Sequence, residues 1–259
     1  IEWEEVMIAM AEMRDPIPSL VEDFYKKHGI VGVHGKAHFT SPDTVVINKK
    51  KYQPEKIVIA AGATPREVDF MGHELLTSTD EFFELKELPS RIVFVGGGFI
   101  AFELSNVAAI SGAQVDVVLR SDRFLRRFDS SLVDCMIEAG RDMGVRFHTM
   151  LPPNSLKRDR DELVLCAGED DIEFRADCVV LAAGRVAHAA GLNPKKGQLE
   201  LNKKGGIKVN EFMQSTTNPR VYAAGDVVGN SMELTPVASM EALVVAHNII
   251  NGNKERPDY

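Results

Sequence analysis

The sequence predicts an α/β fold with parallel sheets and antiparallel β-meanders, on three observations. Apolar runs of strand length alternate with helix-period segments from about residue 78 to residue 149, the pattern of strands joined by crossover helices. A glycine-rich turn, Gly96-Gly97-Gly98, lies between one such run and one such helix. Residues 30–60 and 162–182 instead break into short β-rich runs separated by turn residues, which fits antiparallel meanders.

The elements follow in order. Residues 2–13 carry Trp3, Val6, Met7 and Met10 at helical spacing and predict an amphipathic helix that Pro16 and Pro18 end. Ser19 with Glu22 predicts a capping box for a second helix closed by Gly29. The period then changes from 3.6 to 2. Residues 30–34, 37–40, 44–48 and 56–60 read as short strands, with Gly35 and Ser41-Pro42-Asp43 as turns. Ser78 with Glu81 opens a helix to about Leu85. Arg91–Val95 is a strand, Phe99–Ser111 a helix stopped by Gly112, and Gln114–Arg120 a second strand. Asp129 or Ser130 caps a helix to Met143, with Gly144 at its C-terminal end. Strands follow at 145–149, 162–167, 171–175 and 177–182, the middle two forming a hairpin around Gly168. Further strands are expected at 207–209 and 220–224, and a helix at about 237–251.

Composition bounds the function. The 259 residues are 44% hydrophobic and 26% charged, ordinary for a globular protein and incompatible with disorder or a disulfide-packed miniature fold. Thirty Lys+Arg against 38 Asp+Glu give a net charge of −8, which argues against nucleic acid or an anionic membrane as partner. No run approaches the roughly 18 apolar residues of a membrane helix. Cys135, Cys166 and Cys178 fit neither a zinc site nor a redox CxxC. The expectation is a reducing, cytoplasmic setting with all three thiols in packing roles. The first residue is Ile1 rather than Met, so the expectation is a chain processed, engineered or cut from something longer.

The string Arg91–Glu103 fits G-x-G-x-x-A at Gly96, Gly98 and Ala101. Gly96 makes the tight turn, Gly98 lets backbone approach a pyrophosphate, and Ala101 allows close helix–strand packing. The helix N-terminus supplies N–H groups and the positive end of a dipole. This is a dinucleotide-binding unit; the bland alternative is merely a tight strand-to-helix turn. An acidic residue at the end of the second strand would read a ribose 2′-hydroxyl and signal NAD. Asp116 lies mid-strand instead, and Arg120, Arg123, Arg126 and Arg127 put four guanidinium groups within eight residues at the strand end. Guanidinium forks suit a 2′-phosphate, so the expectation is NADP, with a solvated basic loop as the alternative.

Five motifs then occur in order. Gly96–Glu103 is followed by Leu119-Arg120 with Leu125-Arg126-Arg127-Phe128-Asp129, by Val221-Tyr222-Ala223-Ala224-Gly225-Asp226, and by Glu233-Leu234-Thr235-Pro236-Val237-Ala238. Ile59–Pro65 and Ala182–Arg185 form a related pair. The chain resembles the pyridine nucleotide-disulfide oxidoreductases, the flavoprotein disulfide reductases, and among them the glutathione reductases most. Ala61 and Ala183 stand where that family has Thr, and Val186-Ala187-His188 departs from its x-Pro-Asn.

The resemblance implies a Rossmann-like NAD(P)-binding domain, residues 85–189, inserted into a partial FAD-binding domain, residues 1–84 and 190–259. It implies that Gly96, Gly97, Gly98, Ile100, Ala101 and Gly184 surround the nicotinamide dinucleotide. Phe99 would gate the flavin, Glu103 would orient the nicotinamide carboxamide, and Arg120 and Arg126 would hold the 2′-phosphate. Lys36, Ala37, Ala61, Gly62, Gly225, Asp226, Leu234 and Thr235 would meet FAD, with Asp226 on the ribityl hydroxyls. The family's own FAD glycine fingerprint and CxxxxC pair do not occur in this sequence, and the chain stops about where the family's interface domain would start. No catalytic residue is therefore assigned. The parent enzyme would be a homodimer acting on a small-molecule disulfide, and the chain alone would retain little FAD. A stand-alone dinucleotide-binding module, or a portion of a mercuric reductase-like or dihydrolipoamide dehydrogenase-like enzyme, are the alternatives.

Overall fold

A computed structural model describes residues 1–229 and 233–259. They form two compact units, Ile1–Phe24 with Pro65–Gly184, and Tyr25–Thr64 with Arg185–Tyr259.

The first unit is built on a five-stranded parallel sheet in the order Thr77–Ser78, Cys178–Leu181, Arg91–Val95, Gln114–Val118, Val145–His148. Each strand is flanked by crossovers, so both faces must be covered, and the period-two alternation of side chains decides what covers each. Ile92, Phe94, Val115, Val117 and Val180 share a core with Phe102 and Ala108 of the helix Phe99–Ile110 and with Val133 of the helix Ser130–Asp142. The alternate residues Val93, Val95, Val118 and Val179 share a second core with Leu156, Leu165 and Phe174. Those three belong to an antiparallel meander, Pro153–Asp159, Glu162–Ala167 and Ile172–Ala176. The result is three layers: helices, parallel sheet, meander.

The packing division differs from the expected domain limits of 85 and 189. Trp3, on the first helix Trp3–Arg14, is buried in the helix-side core of this unit. Its indole N–H donates to the Leu85 carbonyl at 3.1 Å, and its ring meets Phe82 edge-to-face at 5.5 Å. Thr77–Ser78 pairs with Cys178–Leu181 as an edge strand. Trp3 and Met7, with Phe70, Leu75, Leu76, Phe82 and Phe83, thus pack against the two faces of the glycine-turn sheet and group their segments with it.

The second unit holds a three-stranded antiparallel sheet, His38–Ser41, Thr44–Ile47 and Lys50–Tyr52. It also holds a parallel pair, Ile57–Ile59 with Val221–Ala223. Phe39, Ile59, Ile207, Met213, Val221 and Tyr222 form its core with Val244 and Val245 of the helix Thr235–Asn251.

Several local expectations are corrected. The second helix begins at Pro16, not after Ser19, and runs to Lys27. Proline is tolerated in a first turn, where its missing N–H would have had no partner. Ser19 Oγ donates to the Pro16 carbonyl at 2.9 Å rather than capping the helix. Residues 30–34 form no strand, and Ile30, Val31 and Val33 are exposed; β-branched side chains do not make a strand without a neighbour to pack on. Lys50–Tyr52, Pro153–Asp159 and Arg185–Ala187 are strands where none was expected. Residues 207–209 make only isolated bridges, Leu201 with Ile207 and Val209 with Ser215. The Ser78 capping box is present, with Ser78 Oγ and the Glu81 carboxylate exchanging backbone bonds, but its helix is only Thr79–Phe82.

Candidate functional site: a dinucleotide cleft and a second set of strand ends

The glycine turn sits at the carboxyl end of Arg91–Val95, where open α/β sheets place their crevices. The Gly96 N–H donates to the Val118 carbonyl at 2.9 Å, holding the turn against the neighbouring strand. Gly96 has φ +141°, and a Cβ there would lie 2.1 Å from the Ala182 carbonyl oxygen, so no other residue fits. Gly98 is the N-cap of the helix Phe99–Ile110, which has no side-chain cap and no acidic residue in its first turn. A Cβ on Gly98 would meet nothing within 4 Å. The helix thus begins without a side-chain cap beside open space at Gly98, the arrangement that receives an anion. Ala101 is fully buried, Ile100 half-buried, and Phe99 and Glu103 are exposed.

The turn lines a cleft of about 630 Å³ within the first unit. Of the four clustered arginines, Arg120 and Arg126 line this cleft and Arg123 and Arg127 do not. Gly97 and Gly184 line it too. Arg126 bonds Asp122 at 2.5 Å, four residues back along the chain, and that guanidinium holds the Asp122 carboxyl below the ordinary carboxylate range. Leu125, at φ 45°, donates its N–H to the Gly97 carbonyl at 2.9 Å, so the arginine loop is bonded to the glycine turn.

Asp116 is engaged elsewhere. Its carboxylate accepts from Arg146 at 2.8 and 2.6 Å and contacts His148 Nε2 at 2.7 Å. Burial would raise its pKa, but the hydrogen bonds and charges of Arg146 and His148 outweigh burial and hold it at about 2. Its position in the middle of the strand Gln114–Val118 and these partners leave the strand end to the arginines.

In the second unit two parallel strands end side by side. Ile57–Ile59 runs into Ala60-Ala61-Gly62, and Val221–Ala223 runs into Ala224-Gly225-Asp226. The Ala224 N–H donates to the Ile59 carbonyl at 3.1 Å, and the His188 N–H to the Gly62 carbonyl at 2.9 Å. Gly62 and Gly225 have φ 65° and 76°, the left-handed region that favours glycine. Asp226 begins a short 3₁₀ turn, is half-exposed, and has no side-chain hydrogen bond or ion pair among the described residues. Leu234 is the N-cap position and Thr235 the first residue of the helix Thr235–Asn251. Lys36 is exposed and Ala37 half-buried, just ahead of the strand His38–Ser41.

Sequence reasoning missed part of the cleft wall. Arg66, Glu67, Asp69, Pro152 and Pro153 also line it. They lie outside the glycine motif and outside any regular period, so no pattern marks them; only folding brings them to the turn. The expectation that all three cysteines pack is corrected for Cys135, which is exposed on its helix, whereas Cys166 and Cys178 are buried. Burial pushes the Cys178 thiol up, against the lowering effect of its bond to Thr77 Oγ1.

The family model for pyridine nucleotide-disulphide oxidoreductases matches residues 5–242. The chain belongs to that family. A glutathione reductase of Nostoc sp. (strain PCC 7120 / SAG 25.82 / UTEX 2576) is 27% identical over 265 residues, covering 98% of this chain and 57% of the relative. The HOCl-induced flavoprotein disulfide reductase RclA of Escherichia coli has the same fold. A cysteine-to-serine mutant of it, in a Cu(II) complex, superposes with a TM-score of 0.91 at 21% identity, covering 100% of this chain and 59% of that one. Another structure of that protein gives 0.89 at 20% identity, covering 99% of this chain and 59% of that one. The chain thus spans a little over half the length of the relatives it matches. Members of the pyridine nucleotide-disulphide oxidoreductase family are oxidoreductases that use a flavin and a pyridine nucleotide. Among the described residues no helix is long and apolar enough to cross a membrane.

Proposed function

We propose that this chain is the NADP- and FAD-binding portion of an NADPH-dependent flavoprotein disulfide reductase. One observation carries the choice of NADP: Arg120 and Arg126 line the same cleft as Gly96–Gly98, while Asp116 is tied to Arg146 and His148. A site that reads a free ribose needs an available acid; a site that reads a 2′-phosphate needs guanidinium groups.

The residues present fit the dinucleotide. The uncapped helix N-terminus behind Gly98 and the open space around it suit a pyrophosphate; Gly97 and Gly184, which line the cleft, would complete the cradle, with Ile100 and the buried Ala101 packed behind it. Phe99, with 44% of its surface exposed, would cover or uncover a flavin face, and the exposed Glu103 would accept from a nicotinamide carboxamide. In the second unit the half-exposed Asp226 carboxylate, with no side-chain partner among the described residues, suits the ribityl hydroxyls of FAD. Ala61, Gly62, Gly225, Leu234 and Thr235 would offer backbone to the flavin, and Lys36 and Ala37 to its adenine end.

Bound there, NADPH would donate a hydride and FAD would accept it. The protein's own share is placement: the arginines choose the nucleotide, the glycines admit its backbone-side phosphates, and Glu103 orients the reactive ring. No two of the three cysteines lie five apart, so the disulfide-reacting pair of the full enzyme is not among these residues. A small-molecule disulfide such as glutathione disulfide would be the substrate of a homodimeric, cytoplasmic parent.

Calorimetric titration with NADPH and NADH tests the reading. Arg120→Met with Arg126→Leu should weaken NADPH by roughly 30-fold or more, two charge-assisted contacts being lost, and leave NADH within about twofold. Equal loss of both nucleotides would refute it.

A further inference from the structure

We infer that Arg66 is a third cation of the nucleotide cleft and that it grips the pyrophosphate rather than the 2′-phosphate. The inference rests on the nucleotide-binding reading above and adds a residue that the glycine and arginine motifs do not contain.

Arg66 lines the cleft together with Gly96, Gly97 and Gly98. Its backbone is fixed, because its N–H donates to the Gly184 carbonyl at 3.0 Å, and Gly184 lines the same cleft. Its side chain is not fixed. Among the described residues the Arg66 guanidinium makes no hydrogen bond or ion pair, although Glu67 and Asp69 line the wall beside it. Arg126, by contrast, already bonds Asp122. An exposed guanidinium anchored by its backbone but free at its tip is held in reserve for a ligand.

Charge balance decides which ligand group. Arg120 and Arg126 come from one loop, after the strand Gln114–Val118, and suit the 2′-phosphate. Besides them, the glycine turn offers only backbone N–H groups and a helix dipole of about half a charge. A pyrophosphate dianion placed there lacks a full counter-charge. Arg66 arrives on a separate segment that reaches the turn through Gly184, so it supplies that charge without touching the specificity loop. Because NADH and NADPH share the pyrophosphate, Arg66 raises affinity for both without choosing between them.

Calorimetric titration of the full chain and of Arg66→Gln with NADPH, NADH and adenosine 2′-monophosphate tests this. The last ligand has the 2′-phosphate and no pyrophosphate. Arg66→Gln should weaken NADPH and NADH by the same factor, about 5- to 20-fold for one exposed charge-assisted contact. Adenosine 2′-monophosphate should bind unchanged, which also shows that the variant is folded, and Arg66→Lys should recover part of the loss. Three outcomes would overturn the inference alone: unchanged dinucleotide binding, a loss confined to NADPH, or an equal loss of adenosine 2′-monophosphate. Unmutated protein that binds neither dinucleotide would overturn the proposed function and this inference together.

Discussion

The backbone N–H of Leu125 donates to the carbonyl of Gly97 at 2.9 Å, joining the loop that carries the arginines to the turn that would receive the phosphates. Two parts of the cleft that are nearly thirty residues apart in sequence therefore cannot move independently. Gly97 is the middle residue of the fingerprint, a position where the motif itself allows any side chain, yet here it is packed. A Cβ on it would lie 2.7 Å from Leu119 Cδ1 and 2.9 Å from Phe124 Cδ1. Both of those side chains are buried, with 8% and 2% of their surface exposed, and have little room to yield.

Gly97→Ala should consequently push Leu119 and Phe124 and shift the loop bearing Arg120 and Arg126. We expect a stability loss of about 1–3 kcal/mol from overpacking, with NADPH weakened more than NADH because the arginines move with the loop. Urea unfolding and nucleotide titration of the variant measure both effects. An alanine variant with unaltered stability and selectivity would show that the contact transmits nothing.

Asp116 sets a pH dependence. Its carboxyl is held at about 2, below an ordinary value of 3.8, so its contribution is fully present above roughly pH 4 and is lost as pH falls toward 2. Arg146 is more than half exposed, which screens the pair, and the contribution is about 1–2 kcal/mol. Asp116→Asn should be less stable than the unmutated protein by that amount at pH 7. The two should converge near pH 2 when unfolding midpoints are followed against pH; a constant gap down to pH 2 would contradict the assignment.

On the helix Thr235–Asn251, Glu241 is 1% exposed. Its Oε2 accepts from the Gly225 N–H at 2.6 Å and its Oε1 from the Tyr259 hydroxyl at 2.7 Å. Gly225 immediately precedes Asp226, so this buried carboxylate fixes the backbone from which Asp226 projects. Glu241→Ala should cost about 2–4 kcal/mol through unsatisfied donors and a cavity, and Glu241→Gln, which keeps one acceptor oxygen, distinctly less. Denaturant unfolding of the two variants provides the comparison, and equal losses would mean that both carboxylate oxygens are needed and that the volume of the side chain contributes nothing.

Much of the fold was legible because its signals are local. The strand Arg91–Val95, the hairpin strand Glu162–Ala167 and the Asp129 cap of the helix Ser130–Asp142 lie where pattern and capping chemistry put them. The strand Pro153–Asp159 was illegible because its run Lys157-Arg158-Asp159 is charged; it is ordered by pairing with Glu162–Ala167, not by its own pattern. Residues 30–34 failed in the opposite way, with β-branched residues but no neighbour to receive them.

The sequence by itself determined the fingerprint Gly96–Ala101, the arginine cluster and the family resemblance, because each is a run of residues acting on its own backbone. The resemblance had already singled out Arg120 and Arg126 among the four arginines, and those two line the cleft; tertiary structure alone decided that Asp116 is tied to Arg146 and His148. It alone brought Arg66 to the glycine turn, and it placed residues 1–24 with that turn's sheet rather than with the second unit. The physical reason is the same in each case. Which way a side chain points, and what it meets, depends on strands and helices that arrive from distant parts of the chain, and no periodicity along the chain encodes that meeting.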